Sequence, residues 1–317
     1  MQDKMTLVAQ LLDNDMQRRL EALELLSGQE TAGGLPGNVN NHIHTTYSFS
    51  PYTPSAALYH AREAGLVTAG IMDHDSIAGA EEFRRAGEIL GMGVTAGLEC
   101  RISMADTPFA HRRINNPDQD GVIYMALHSV PRSQFGRVQA FFAPYREARH
   151  RRNMAMTARI CELMAPYGLA IDYEADVLPL SQASEGGGVT ERHILFALAR
   201  KIMQAYGQGP AVVDFLEGQL GLPVSGKARS QLMDAACPIC AYDLLNVLKG
   251  HFVAQFYIPA TDECPRPREV LALAQEVHAI AAYAYLGDVG DSVTGDKRAQ
   301  KFEDDYLPEL LGYLRGL

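Results

Sequence analysis

Tryptophan is absent from this 317-residue chain, and cysteine is scarce, with five in all. An odd handful of thiols in so long a chain excludes the disulfide framework of a small secreted module. No apolar run reaches the roughly 18–20 residues that a membrane-spanning helix needs. The N-terminal MQDKMTLVAQLLDND lacks the order of charge, apolar core and cleavage site that marks a signal peptide. A cytoplasmic location without a membrane partner is therefore predicted. Positive charge is also in deficit, with Lys+Arg 28 against Asp+Glu 38 and a formal net charge of −10. That balance argues against gripping duplex nucleic acid by neutralising phosphates. It leaves room for a small phosphorylated substrate, because a metal centre can reverse the field at one site. What remains is 47% hydrophobic and 21% charged, the composition of a large globular protein with a sizeable core.

The pattern along the chain divides it into four. Residues 1–37 read as an N-terminal helical extension, with a single amphipathic helix over 4–27 carrying Leu12, Met16, Leu20 and Leu23 on one stripe. SGQETAGGLPG then ends it. Over 38–146 short β-rich segments alternate with helical ones: strands at 39–44, 67–72, 93–101 and 122–128, helices at 55–65 and 79–90. Such alternation indicates a parallel sheet, open or closed into a barrel. Residues 147–252 break the rhythm with helical stretches at 151–164, 190–206 and 241–248, and read as a helical insertion. Within it, LSQASEGGGV carries three consecutive glycines, and Cys237 and Cys240 form a lone CxxC read as ordinary thiols. The strand–helix rhythm returns over 253–317, with a helix at 266–277, a strand at 279–286, the loop GDVGDSVTGD and a last helix.

The chemistry lies at the strand ends. His42 and His44 stand two apart on a strand, so both face one side. Asp73-His74-Asp75 ends the second strand, Glu99 stands near the end of the third, and His128 closes the fourth. Strand ends on one face of a parallel sheet converge on a ligand crevice. Histidine and carboxylate donors gathered there suit Zn, Mn or Fe and equip a site for metal-assisted hydrolysis. His60, His111, His150, His251 and His278 have no such context and read as surface or core histidines.

These motifs, in this order, resemble the PHP family, named for polymerase and histidinol phosphatase. NHIHTTYS is similar to its first motif, HxHTxxS; IMDHDSIAG is similar to its second, and GLE to its third. His128 in ALHSV stands where a fourth-strand ligand is expected, and TERHILFAL resembles the family's R-x-H segment. The resemblance is good over 38–130 and loose over 190–200 and 262–290. It implies a distorted (β/α)7-type, TIM-like barrel with a helical insertion and one to three divalent ions per chain. Phosphoester hydrolysis by a metal-bound hydroxide is the activity it implies. His42, His44, His74, Glu99 and His128 would be ligands, and Asp73 would join the catalytic set. Arg101, Arg192 and His193 would meet the substrate, Arg through its bidentate fork.

Three positions depart from the family pattern. Phe49 occupies a place where many members carry an aspartate ligand, and Tyr285 stands where an Ala-His-Pro histidine is expected. No closing Asp-x-His follows GDVGDS, as if the C-terminus were shortened, and Asp288, at the strand end, is the candidate substitute ligand. The leading expectation is a metal-dependent phosphoesterase acting on a small phosphorylated metabolite or nucleotide. Its alternative is a PHP-fold metal-binding or scaffold protein with little or no catalysis. A proofreading-type nuclease ranks below both because of the acidic charge. Self-association into a homo-oligomer is compatible with the sequence.

Overall fold

The tripeptide Asp13-Asn14-Asp15 cuts the expected N-terminal helix in two. Asp13 Oδ1 accepts from the Asp15 N–H, and Asp15 Oδ1 accepts from the Gln17 N–H, both at 2.8 Å. Short acidic side chains that bond nearby backbone donors compete with helix continuation and start a new N-cap. The result is α1 (Lys4–Gln10) followed by α2 (Met16–Ser27). A computed structural model describes residues 3–29, 37–116, 119–286 and 301–317.

Five strands form one mixed sheet among these residues, in the order β1-β2-β3-β4-β5: β1 (Val39–Ile43), β2 (Thr68–His74), β3 (Gly93–Ser103), β4 (Val122–His128) and β5 (Ile280–Tyr283). The helix α3 (Pro54–Glu63) crosses from β1 to β2, and α4 (Ala80–Leu90) from β2 to β3. These helical crossovers make the first three strands parallel. Proline at its first position and Thr53, whose hydroxyl accepts from the Ala56 N–H at 3.2 Å, start α3. Gly91, left-handed at φ 63°, ends α4.

From β3 onward the expected parallel pattern fails. β3 runs on to Ser103, no crossover helix stands among the described residues between it and β4, and β4 pairs with β3 antiparallel from Ser103 opposite Val122. β5 is antiparallel to β4 and ends at Tyr283, short of the expected Leu286. The structure is thus a mixed α/β fold with a curled, half-barrel sheet. The β1–β2 register slips between Asn40 and Ile43. Gly70 makes room for that slip, since a Cβ there would lie 2.8 Å from Asn41 Cα.

Apolar side chains gather in two main clusters. One packs α1–α4, α11 (Pro267–Glu276) and α12 (Lys301–Arg315) against the sheet, with Leu23, Leu58, Ile71, Phe83 and Leu98 among its buried side chains. A buried ion pair ties α2 into it: Arg19 Nε donates to Glu82 Oε1 at 2.8 Å, and Ser55 Oγ donates to the same oxygen at 2.7 Å. The second cluster belongs to the helical region. It is framed by α5 (Phe135–Met164), α6 (Glu191–Tyr206), α7 (Pro210–Asp214), α8 (Gly226–Met233), α9 (Cys240–His251) and α10 (Val253–Phe256). α5 starts sixteen residues earlier than the sequence pattern indicates and spans both clusters, from Val138 in the first to Met164 in the second. Cys240 is buried in the second cluster, and Cys237 Sγ donates to Asp243 Oδ2 at 3.7 Å. The chain returns to the sheet through α11 (Pro267–Glu276) and β5, and α12 (Lys301–Arg315) is the last helix.

Candidate metal centre and basic cavity

One row across the sheet sets the site: His74 pairs with Glu99, Glu99 with Ala126 and Ala126 with Ala282. Residues abreast in a sheet face the same side, and all four line a single cavity of about 710 Å³. Glu99 therefore stands in mid-strand rather than at a strand end. His128 reaches the same face because β4 is antiparallel and places it two residues beyond Ala126. His42 on β1 and His44 just after its end both line the cavity, and the Asn40 side chain accepts from the His42 N–H at 3.0 Å within the register slip.

The donor atoms converge on the Glu99 carboxylate. His42 Nε2 lies 3.7 Å from Oε1, His44 Nε2 3.9 Å from Oε2, and His74 Nδ1 3.2 Å from Oε2. The His44 and His74 rings stack with centroids 4.6 Å apart. One ligand atom from each of His42, His44 and Glu99 falls within 4.8 Å of the others, a set able to hold a metal ion. Burial raises the Glu99 carboxyl, but His42, His74 and His44 outweigh it and bring it down to about 2. Burial, with His44 beside it, pushes His74 well below the usual imidazole range, and burial with His42 lowers His128. Neutral imidazoles beside an ionised carboxylate are the protonation states that bind divalent cations.

The other predicted residues fall differently. Asp73 does not line the cavity. It is buried and accepts from the Thr45 N–H, Thr45 Oγ1 and Ser48 Oγ, each at 2.6 Å. The Thr and Ser of HxHTxxS thus bind this carboxylate and hold the loop after β1. Ser48 Oγ also lies 3.4 Å from His44 Nδ1. His193 is likewise buried outside the cavity and caps α6: its Nδ1 accepts from the Thr190 N–H at 3.0 Å, and burial pushes it down to about 4. Arg192 does line the cavity. Phe49 lines it too, edge-on to the His193 ring at 4.9 Å. Tyr285 borders it, and its hydroxyl donates to Asp304 Oδ1 at 2.6 Å. Asp288 lies outside the described residues.

A basic wall also lines the cavity, of which the motifs point only to Arg101 and Arg192. Arg149 and Lys249 line the cavity beside them, with Glu191. Behind this wall sits Glu263, 2% exposed. It pairs with Arg101, with Arg149 Nε at 3.3 Å and with Arg152 Nε at 2.5 Å. Arg149 Nη1 also meets Asp75 Oδ2 at 2.6 Å, and Lys249 lies 3.9 Å from Glu191. Burial raises the Glu263 carboxyl, but the three guanidiniums together hold it below the ordinary range. No local spacing links residues 101, 149, 152 and 263. The one sequence signal is the density of arginine in YREARHRR, which no motif ties to a site. Asn115, also unforeseen, binds Tyr124 O and Ala284 O through Nδ2 at 2.9 and 2.7 Å, fixing the cavity wall where β5 ends.

No helix among the described residues is long and apolar enough to cross a membrane. No protein-family model and no curated protein matches the chain. Among solved structures, the fold is similar to that of a Bifidobacterium adolescentis protein described as a "putative metal-dependent phosphoesterase", at 21% identity and TM-score 0.53, covering 86% of this chain and 75% of that one. It is also similar to an amidohydrolase from Chromobacterium violaceum solved with bound sulfate and no metal, at 14% identity and TM-score 0.53, covering 88% of this chain and 74% of that one. At such identities the likeness establishes a shared fold.

Proposed function

We propose that this protein is a PHP-type, metal-dependent hydrolase, and specifically a phosphoesterase for a small phosphorylated metabolite or nucleotide. One observation carries the reading: a single cavity joins a His-His-Glu donor set to a wall of basic side chains. His42, His44 and Glu99 would hold a divalent ion, Zn, Mn or Fe, with His74 and His128 beside them as further donors. A bound ion would supply Lewis acidity towards a phosphoryl oxygen and lower the pKa of a water. The remaining work falls to this chain's own side chains. Arg101 and Arg149, held by Glu263, would bind non-bridging phosphate oxygens through paired N–H donors. Arg192 and Lys249 add positive charge along the same border. Glu99, ionised down to about pH 2, keeps the centre anionic enough to retain a cation.

Turnover of an aryl phosphate with added Mn, Zn or Fe tests the reading, with His42→Ala and His74→Ala as controls. Activity that survives both substitutions refutes it. The second reading, a metal-binding protein with little catalysis, draws its support from Phe49 and Tyr285, which place aromatic rings at cavity positions where the family resemblance implies ligands. Metal content per chain separates the two: two or more ions favour the hydrolase, and one or none favours the binding protein.

A further inference from the structure

The triple glycine of the helical region packs directly on the two loops that carry the histidines. Gly188 N–H donates to Tyr47 O at 2.7 Å, inside the loop that follows His44. Ser76 Oγ, just after the Asp73-His74-Asp75 turn, donates to Gly186 O at 2.7 Å, and Gln139 Nε2 donates to the same carbonyl at 3.2 Å. The approach leaves no room for a side chain at Gly187 and little at Gly188. A Cβ at Gly187 would lie 2.8 Å from Gln182 O and 3.0 Å from Tyr47 O, and one at Gly188 would lie 3.1 Å from the carbonyl of His74 itself. Gly186 further requires a left-handed backbone, φ +84°.

We propose that Gly186–Gly188 is a positioning clasp that fixes the β1 loop and the β2 turn relative to each other, so that His44 and His74 meet Glu99 in a metal-binding geometry. The inference rests on the metal reading above. Thr45 and Ser48 already tie the β1 loop to Asp73, and the glycine segment binds both loops again through Tyr47 and Ser76. Sequence distance gives the clasp its consequence: the helical region reaches over residues roughly 110 positions earlier, as the Ser76–Gly186 bond shows. Partners that orient ligands without touching the metal commonly carry 10–100-fold of its affinity.

The test measures Zn(II) and Mn(II) dissociation constants for the full chain by competition with a chelating dye, alongside melting temperatures with and without metal. Gly187→Ala and Gly188→Ala are expected to weaken binding about tenfold or more, and to shrink the gap between the metal-loaded and metal-free melting temperatures. A merely structural glycine would lower both temperatures equally and leave the constants alone. Gly136→Ala, where an added Cβ meets nothing within 4 Å, serves as the neutral control. If the glycine variants do not fold, Ser76→Ala decides, because it deletes only the bond to Gly186 O and the one Ser76 Oγ accepts from the Ala78 N–H, and leaves the main chain intact. Its binding should weaken several-fold while circular dichroism is unchanged. Unchanged constants in the folded variants overturn the clasp. A wild-type chain that binds neither ion instead overturns the metal reading beneath it.

Discussion

Replacing Glu263 by glutamine tests whether the basic wall is built on one carboxylate. Glu263 meets three guanidiniums, those of Arg101, Arg149 and Arg152, while almost wholly buried. Glutamine keeps the volume and one acceptor oxygen but removes the charge and turns an N–H₂ group towards a cation. Breaking a buried ion pair from one side costs about 3–5 kcal/mol, because the partners stay buried without compensation. Asp75 still faces Arg149 and Glu191 still faces Arg152, which argues for the lower half of that range. The assay is urea denaturation of both proteins, read as a shift of midpoint at constant slope.

Two further readouts follow from the same geometry. Because Arg101 and Arg149 border the cavity, a wall freed of Glu263 should bind inorganic phosphate more tightly. Phosphate at a hundred times its dissociation constant for Glu263→Gln should stabilise that variant by about 2.7 kcal/mol, and the wild type by less at the same concentration. The pH dependence has a definite sign. The Glu263 carboxyl is held below its ordinary value of 4.5 in the folded protein. Its stabilisation is therefore complete above that value and disappears as pH falls through the lower, folded pKa. The glutamine variant should lack this share of the acid sensitivity. A stability loss under about 1 kcal/mol would contradict the ion-pair cost on which the expectation rests, and an equal phosphate effect on both proteins would show that the arginines do not face the ligand.

Substitutions at three other positions separate roles. Asp73→Ala strands the buried Thr45 N–H and should cost roughly 2–3 kcal/mol together with metal affinity, whereas Asp73→Asn keeps an acceptor and should retain metal, as measured by metal content per chain. Arg19→Ala leaves Glu82 buried without its cation and should destabilise by roughly 3 kcal/mol in urea, showing that the N-terminal helices are part of the fold. Phe49→Asp breaks edge contacts with His193, Phe196 and Tyr242 and should cost roughly 1–3 kcal/mol in urea without adding a metal ion. A gain of one ion per chain in that variant would mean that the position kept its ligand geometry.

What could be read from the residues alone was whatever short-range geometry decides. Strand alternation places His42 and His44 on one face whatever their neighbours, and both line the cavity with His74 and Glu99. Strand direction is not local. Residues 104–121 carry no periodicity that announces a return, so the antiparallel β4 was invisible, although His128 reaches the cavity by the opposite route. Arg149, Lys249 and Glu263 come together only when the helical region folds back on the sheet, and no spacing encodes that. Asp288 and the closing stretch around it lie outside the described residues.

His193 carries a second, structural signal in the same residues. Thr190 and His193 stand three apart immediately before an apolar helical run, the spacing of a capping box, with histidine in the place usually taken by Glu or Gln. Read that way, the pair satisfies the helix N-terminus. The ring is buried, and burial pushes it down to about 4. Its neighbour Arg192, one residue earlier, lines the cavity. The R-x-H resemblance thus spans two jobs at once, and a cap that fixes the first turn of α6 also fixes where the Arg192 guanidinium begins its reach.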